Sequence, residues 1–243
     1  EPSLDIQVAG LSRGGPLEGE FARLGLRPCA IQLRRAGGLA RFRAWQRDQR
    51  RRRLDVLHTH LLLPDLAGRI VRGRIGPRAL VSTIHGLHAA GEKGAAGRAY
   101  GMIERRTRGR VDAWTAVSRA VRSEMIAAGY PALRVDAIPN GIDLTAASAL
   151  SREEARRRAL RLFDAPEDAR LLAAAGNLRP VKGYDVAVRA LAELRRSQPG
   201  ALLAIAGEGP ERPRLRELAE ELGVGEALRL PGRLDRTLPI LMR

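Results

Sequence analysis

The sequence predicts an α/β protein of two lobes, each a parallel sheet covered by helices. Three observations carry this. The apolar runs are short and continuous rather than alternating, the pattern of strands buried on both faces. Amphipathic stretches with apolar residues every three or four positions lie between most of them. One break in the alternation, at residues 139–151, separates a first series from a second.

Strands of the first series are expected at Leu4–Val8, Cys29–Leu33, Asp55–Thr59, Ala79–Ile84, Ala113–Val117 and Val135–Ile138. Within "PCAIQL", Cys29 reads as a small buried hydrophobe. Residues 38–53 read as a helix with Leu39, Phe42, Trp45 and Gln49 on one side and Arg41, Arg43, Arg47 and Arg50 to Arg53 around them. It is either a surface helix packed by one stripe or a basic patch for an anionic membrane. The break is turn chemistry: Pro139 lacks a donor, and Asn140-Gly141 tolerates positive φ. Ser151 and Glu154 then have capping-box spacing, which opens a new helix. The lobes are therefore expected at 1–141 and 142–243. The second series places strands at Leu171–Ala175, Ala201–Ala206 and Ala227–Leu230. Its helix over 183–197 has Val186, Ala187, Ala190, Leu191 and Leu194 on one face. The helix over 211–222 has Leu215, Leu218, Ala219 and Leu222.

The 243 residues carry a net charge of +16, and of 43 basic residues only Lys93 and Lys182 are lysines. Such charge is consistent with solvated arginine-rich faces, with attraction to anionic lipid headgroups, or with nucleic-acid binding. Three Phe, three Tyr and two Trp leave little to stack bases, and no zinc-finger spacing occurs. One cysteine excludes an internal disulfide framework. No apolar run approaches a membrane span. The opening Glu1-Pro2-Ser3 lacks the form of a secretory signal, so a cytoplasmic location is expected.

Candidate chemistry lies where strands give way to helices, the ligand-binding end of a parallel sheet. "GNLRPVKG" (176–183) joins a buried strand to a helix whose first turn offers free N–H groups and partial positive charge. Gly176 and Gly183 allow close backbone approach. Arg179 can grip an oxygen pair in a plane and Lys182 reaches inward as a compact cation, so the loop suits a diphosphate. Gly207-Glu208-Gly209-Pro210 ends the next strand; it lacks the third glycine of a dinucleotide fingerprint. Pro231-Gly232-Arg233 ends the third. In the first lobe "VLHTH" and "STIHGLH" place histidines at strand ends, able to bond sugar hydroxyls or move a proton. No metal site and no D-x-D triplet is found.

Taken together and in order, "DVLHTHLLLPDLAGRI", "LVSTIHGLH", "AVSRAVRSEMIAAGYPALRVDAIPNGIDL", "GNLRPVKGYDVAVRALAEL", "LLAIAGEGPERPRLRELAEELGV" and "LRLPGRL" resemble the GT4 family of glycosyltransferases, which have the GT-B fold of two Rossmann-type lobes. The resemblance covers most of residues 54–234. It implies a retaining transferase that moves a sugar from a nucleoside-diphosphate sugar to a glycan or lipid-linked acceptor, with no cofactor and no metal. In the family's G-R-L-x-x-x-K-G loop an Arg and a Lys bind the donor diphosphate. Lys182 matches the Lys; Asn177 stands at the Arg position, a departure, with Arg179 two residues on as the candidate substitute. His85 matches the histidine near the donor sugar. Gly207, Gly209 and Pro210 match the G-x-G-P turn, Arg233 falls on the loop that lines the base, and Ser118 and Arg119 match the "vS" segment. The first lobe would serve the acceptor and the second the nucleotide sugar.

Two family elements have no counterpart here, an initial strand with its Gly-rich loop and a downstream E-x7-E element. Both lobes are therefore expected to be incomplete and the chain to be part of a longer transferase. Relatives that build lipid-linked glycans suggest peripheral contact with the inner face of a membrane. Two alternatives stay open: a GT-B epimerase or sugar-phosphate synthase, and a non-enzymatic basic module binding membrane or nucleic acid.

Overall fold

A computed structural model of the chain describes residues 4–12, 15, 18–26, 28–87, 95–141 and 150–234. The chain separates into two compact units, Glu1–Gly141 and Ile142–Arg243.

In the first unit, β1 (Ala9–Gly10) and β2 (Cys29–Ala30) form a short parallel pair. The larger sheet is parallel throughout, in the order β3 (Val56–His60), β4 (Ala79–Ile84), β5 (Ala113–Ala116), β6 (Val135–Ala137). Around the strands lie α1 (Glu18–Arg23), α2 (Gly38–Arg52), α3 (Leu62–Ile75), α4 (Ala95–Thr107) and α5 (Arg119–Ala127). One face of the sheet is sealed by Leu80, Trp114, Ala116, Met125 and Val135. Ile31, Phe42, Val71 and Ile75 form a second cluster between α2 and α3. Gly68 lets α3 lie close to the sheet, because a Cβ there would meet the Thr59 methyl at 2.7 Å.

The described core of this unit holds ions as well as hydrocarbon. Asp65 and Arg69, one helical turn apart on α3, are both 1% exposed and are paired. Ser82 Oγ donates to Asp65 at 2.5 Å. Arg69 also donates to the Glu104 carbonyl at 3.2 Å, lies 3.5 Å from the Glu104 carboxylate, and covers the Trp114 ring at 4.6 Å. Arg108 pairs with Glu104 at 2.5 Å and sits over Tyr130 at 3.8 Å. Burial opposes ionisation of Glu104, yet hydrogen bonds from Arg108 and Tyr130 hold its carboxyl below the usual range.

In the second unit the sheet runs β7 (Arg170–Ala175), β8 (Ala201–Ala206), β9 (Leu228–Gly232), again parallel. The helices are α6 (Arg152–Leu162), α7 (Tyr184–Ser197) and α8 (Arg212–Glu221). Every residue of β8 is buried, and Leu178, Val188, Leu191, Leu215 and Leu218 close around it. Ser151 caps α6 by accepting from the Glu154 N–H at 3.1 Å. The Glu154 carboxylate does not complete the box but pairs with Arg158.

Several sequence-based expectations need correction. Residues 4–8 form no strand; the ladder begins at Ala9. Cys29 is exposed, not buried, because β2 is a two-residue element with β1 as its partner. Leu39 is 54% exposed, and the inner side of α2 uses Phe42, Gln46 and Gln49. Val186 is 65% exposed, since the buried stripe of α7 runs through Tyr184, Ala187, Val188, Leu191 and Leu194. Leu222 lies at the margin, 36% exposed.

Candidate functional site

The second unit gathers the carboxyl ends of β7, β8 and β9 into one rim held by backbone hydrogen bonds. Gly176 N–H donates to the Ala206 carbonyl at 2.9 Å, and Gly207 N–H donates to the Gly232 carbonyl at 2.7 Å. Leu178, fully buried, donates to the Glu208 carbonyl at 2.9 Å and accepts from the Glu211 N–H at 3.1 Å. Two glycines make this stitching possible. A Cβ at Gly207, where φ is +151°, would collide with the Gly176 carbonyl. One at Gly209 would collide with the backbone of Leu178.

Between Leu178 and α7 the chain makes a 3-10 turn, Pro180–Lys182, with Pro180 at its first position. The Lys182 N–H donates to the Arg179 carbonyl at 2.9 Å. Gly183 then caps α7 in the left-handed region at φ +63° and offers no side chain to cover the helix start. Asn177, Arg179 and Lys182 are exposed. Neither cation has an ion-pair partner among the described residues. The loop therefore presents two uncompensated cations beside free N–H groups at a helix N-terminus, an arrangement that favours an anion with several oxygens.

Sequence reasoning missed Glu208 and Arg212. They pair at 3.2 Å, and Arg212 also donates to the Leu230 carbonyl, so the ion pair ties the β8 loop to β9. Their i,i+4 spacing was the available signal. Arg233 follows the end of β9 directly, beside Gly232 at φ +92°.

In the first unit, β3 and β4 bring three imidazoles together. His60 Nδ1 is 3.2 Å from His85 Nε2. The His58 and His60 rings lie 4.4 Å apart. His58 Nε2 shares a hydrogen bond of 2.7 Å with Thr83 Oγ1, and Thr83 shares one of 2.5 Å with Thr115. Burial lowers the pKa of His58. Burial, then the charges of His58 and His85, lowers that of His60. Ser118 caps α5, accepting from the Val121 N–H at 3.1 Å. His88, in the same segment of sequence, lies outside the described residues. No group of three or more His, Cys, Asp or Glu is arranged to hold a metal among the described residues.

Comparison with known proteins places these features in context. Residues 3–146 match the model "Glycosyltransferase Family 4", and residues 156–243 match "Glycosyl transferases group 1". A D-inositol 3-phosphate glycosyltransferase of Acidothermus cellulolyticus is 31% identical over 193 residues, 72% of this chain and 41% of that protein. A GDP-mannose-dependent alpha-(1-6)-phosphatidylinositol monomannoside mannosyltransferase of Mycolicibacterium smegmatis is 34% identical over 162 residues, 66% of this chain and 40% of that protein. The chain thus spans about two fifths of the length of these curated relatives. Among solved structures, Anabaena Alr3699/HepE in complex with UDP and glucose superposes with a TM-score of 0.79 at 16% identity, over 97% of this chain and 63% of that one. WaaG, a glycosyltransferase involved in lipopolysaccharide biosynthesis, gives 0.69 at 20% identity over 98% and 72%. These likenesses show the α/β fold of GT-B glycosyltransferases.

Proposed function

We propose, from the premise that the chain belongs to the Glycosyltransferase Family 4 and Glycosyl transferases group 1 families, that it serves a retaining transfer of a sugar from a nucleoside-diphosphate sugar to a glycan or lipid-linked acceptor. The second unit is the nucleotide-sugar side and the first the acceptor side. Lys182, Arg179, Gly183 and Asn177 meet the diphosphate; Gly207, Gly209 and Arg233 meet the nucleoside. His85 is the imidazole near the donor sugar.

The single observation that carries this reading is the pair of cations at the start of α7 without an ion-pair partner among the described residues. Breaking the sugar–phosphate bond builds negative charge on the departing diphosphate. Fixed donors aimed at that charge stabilise it more as it grows, and this difference lowers the barrier. Arg179 supplies a planar fork for an oxygen pair and Lys182 a point charge. A relative that depends on GDP-mannose and a structural neighbour holding UDP support a nucleoside diphosphate as the ligand class.

The test is calorimetric titration of this chain with UDP and GDP. Saturable binding is expected, weakened by Lys182→Ala and further by Arg179→Ala. In a chain that retains transfer, Lys182→Ala should cost up to ~2.7–4 kcal/mol of barrier, the range for one lost donor in such a role. Equal affinity of wild type and the double variant would refute the assignment. Steeply salt-dependent DNA binding without a nucleotide site would favour the basic-module alternative instead.

Contact with an anionic membrane surface is a further part of the proposal. α2 carries Arg43, Arg47 and Arg50 to Arg52 on a helix whose Leu39 is 54% exposed. Leu61 and Leu63 add exposed apolar surface at 63% and 52%. No helix among the described residues is long and apolar enough to cross a membrane. Sedimentation with vesicles containing an anionic lipid, lost on replacing Arg43 and Arg47 by Gln, is the expected result. Equal sedimentation with neutral vesicles would refute it.

A further inference from the structure

We propose that His60 is a positioning residue for His85, holding its imidazole in one tautomer and one orientation. This deepens the reading above and rests on it, since it takes His85 as the imidazole near the donor sugar.

A contact between two ring nitrogens at 3.2 Å requires one donor and one acceptor, so in a neutral pair one nitrogen of the two carries the proton. Whichever way the bond runs, it fixes which nitrogen of His85 is left for a ligand. His85 needs such help. It lies just past the end of β4, followed by Gly86 at φ +156°, and His60 is its one side-chain hydrogen-bond partner among the described residues.

His60 can give that help because the sheet holds it. On β3 it stands in register with Thr83 of β4, and Thr83 with Thr115 of β5. His58, two residues back on the same strand face, lies against the His60 ring at 4.4 Å. It is itself held by Thr83 at 2.7 Å, which bonds Thr115 at 2.5 Å. A supported row therefore runs from the middle of the sheet, through two threonines and two rings tilted against each other, to a histidine at a strand end. Burial, then the nearby imidazole charges, lowers the pKa of His60 and so favours the neutral form, which can accept as well as donate.

The experiment is long-range proton–nitrogen NMR of the four histidines in this chain under alkaline conditions, assigned by single substitutions. Wild type should show His85 as a single tautomer, its two nitrogens well separated in shift. His60→Phe keeps a ring against His58 but removes the nitrogens, and should draw the two His85 shifts toward a tautomer average. His60→Asn, which can still donate or accept, should restore part of the separation. Unchanged His85 shifts in His60→Phe, with an otherwise native amide spectrum, would overturn the proposal. If His60→Phe does not fold, Thr83→Val tests the same row: loosening of the His85 tautomer supports it and no change counts against it.

A second arm uses a chain that carries out transfer. There His60→Phe should lower kcat roughly two- to tenfold, the worth of one hydrogen bond, leave the donor KM in place, and add nothing to His85→Ala. NMR coupling together with an inert His85→Ala would sink the donor-histidine reading while leaving the hold of His60 on the ring intact. Additive losses would overturn positioning.

Discussion

Removing Arg69 alone from the Asp65–Arg69 pair should damage the first unit more than removing both. Each residue is 1% exposed. Arg69→Met leaves the Asp65 carboxylate, among the described residues, with the hydroxyls of Ser82 and Thr59. Asp65→Leu leaves the guanidinium with the Glu104 carbonyl and carboxylate, the Thr107 hydroxyl and the Trp114 face. An uncompensated buried charge costs about 3–5 kcal/mol, whereas an apolar pair of similar volume is often neutral or better. Arg69→Met is therefore expected in that range, Asp65→Leu below it because the Glu104 carboxylate still faces the guanidinium, and the double variant below Arg69→Met. With a urea slope of ~2 kcal/mol/M, Arg69→Met moves the midpoint down by ~1.5–2.5 M. The assay isolates the unit, because both tryptophans of the chain, Trp45 and Trp114, lie within it. Their fluorescence follows its unfolding and the cycle yields the coupling directly. An Arg69→Met shift of less than half a molar, or a double variant equal to the sum of the single substitutions, would refute the reasoning.

Other perturbations have equally definite signs. Gly209→Ala puts a methyl onto the Leu178 backbone and should break the two hydrogen bonds through which Leu178 joins the β8 loop. About 1–3 kcal/mol is expected for two such bonds, read as faster hydrogen exchange at Leu178 and Glu211 and weaker UDP binding. Gly200→Ala, with open space around it, is the silent control. Stability of the first unit should fall as pH drops through the range just below 6.5. The folded-state pKa values of His58 and His60 are lowered from that value, so the unfolded chain takes up protons first and acid favours it. Urea midpoints at a series of pH values check this; replacing both histidines by Phe should flatten the curve, and an unchanged slope would show that neither matters.

The strands and helices were largely legible because burial on both faces writes itself as a continuous apolar run. β4 and β8 match the runs Ala79–Ile84 and Ala201–Ala206 residue for residue. Leu4–Val8 misled because an apolar run needs a ladder partner to become a strand, and pairing is a property of the fold. Val186 misled because a helical stripe is decided by what packs on it. The stripe through Tyr184, Val188 and Leu191 excludes a residue two positions away from both of its nearer members. Gln46, buried on α2, is invisible to a pattern that counts only apolar residues.

The site was legible in residue type but not in its supports. The glycines, Arg179 and Lys182 suit a loop for an anion, because few other combinations give close backbone approach and two charges within eight positions. What holds that loop does not show in sequence. Leu178 reads as one more hydrophobe, yet its backbone is the bridge between two strand ends. The arginines argue the same way. Net charge invites a reading as a uniformly basic surface, but Arg41 is turned onto the Ile31 and Gln32 carbonyls, Arg122 onto Val135, Arg156 onto Ala169 and Arg195 onto Ala201. Those side chains act as fasteners for backbone, a use to which five donors in a fixed fork are suited. A guanidinium already bonded to carbonyls has less to offer an incoming phosphate. The charges available to an anion are therefore those the fold leaves unemployed, and among the described residues at the rim of the second sheet these include Arg179 and Lys182.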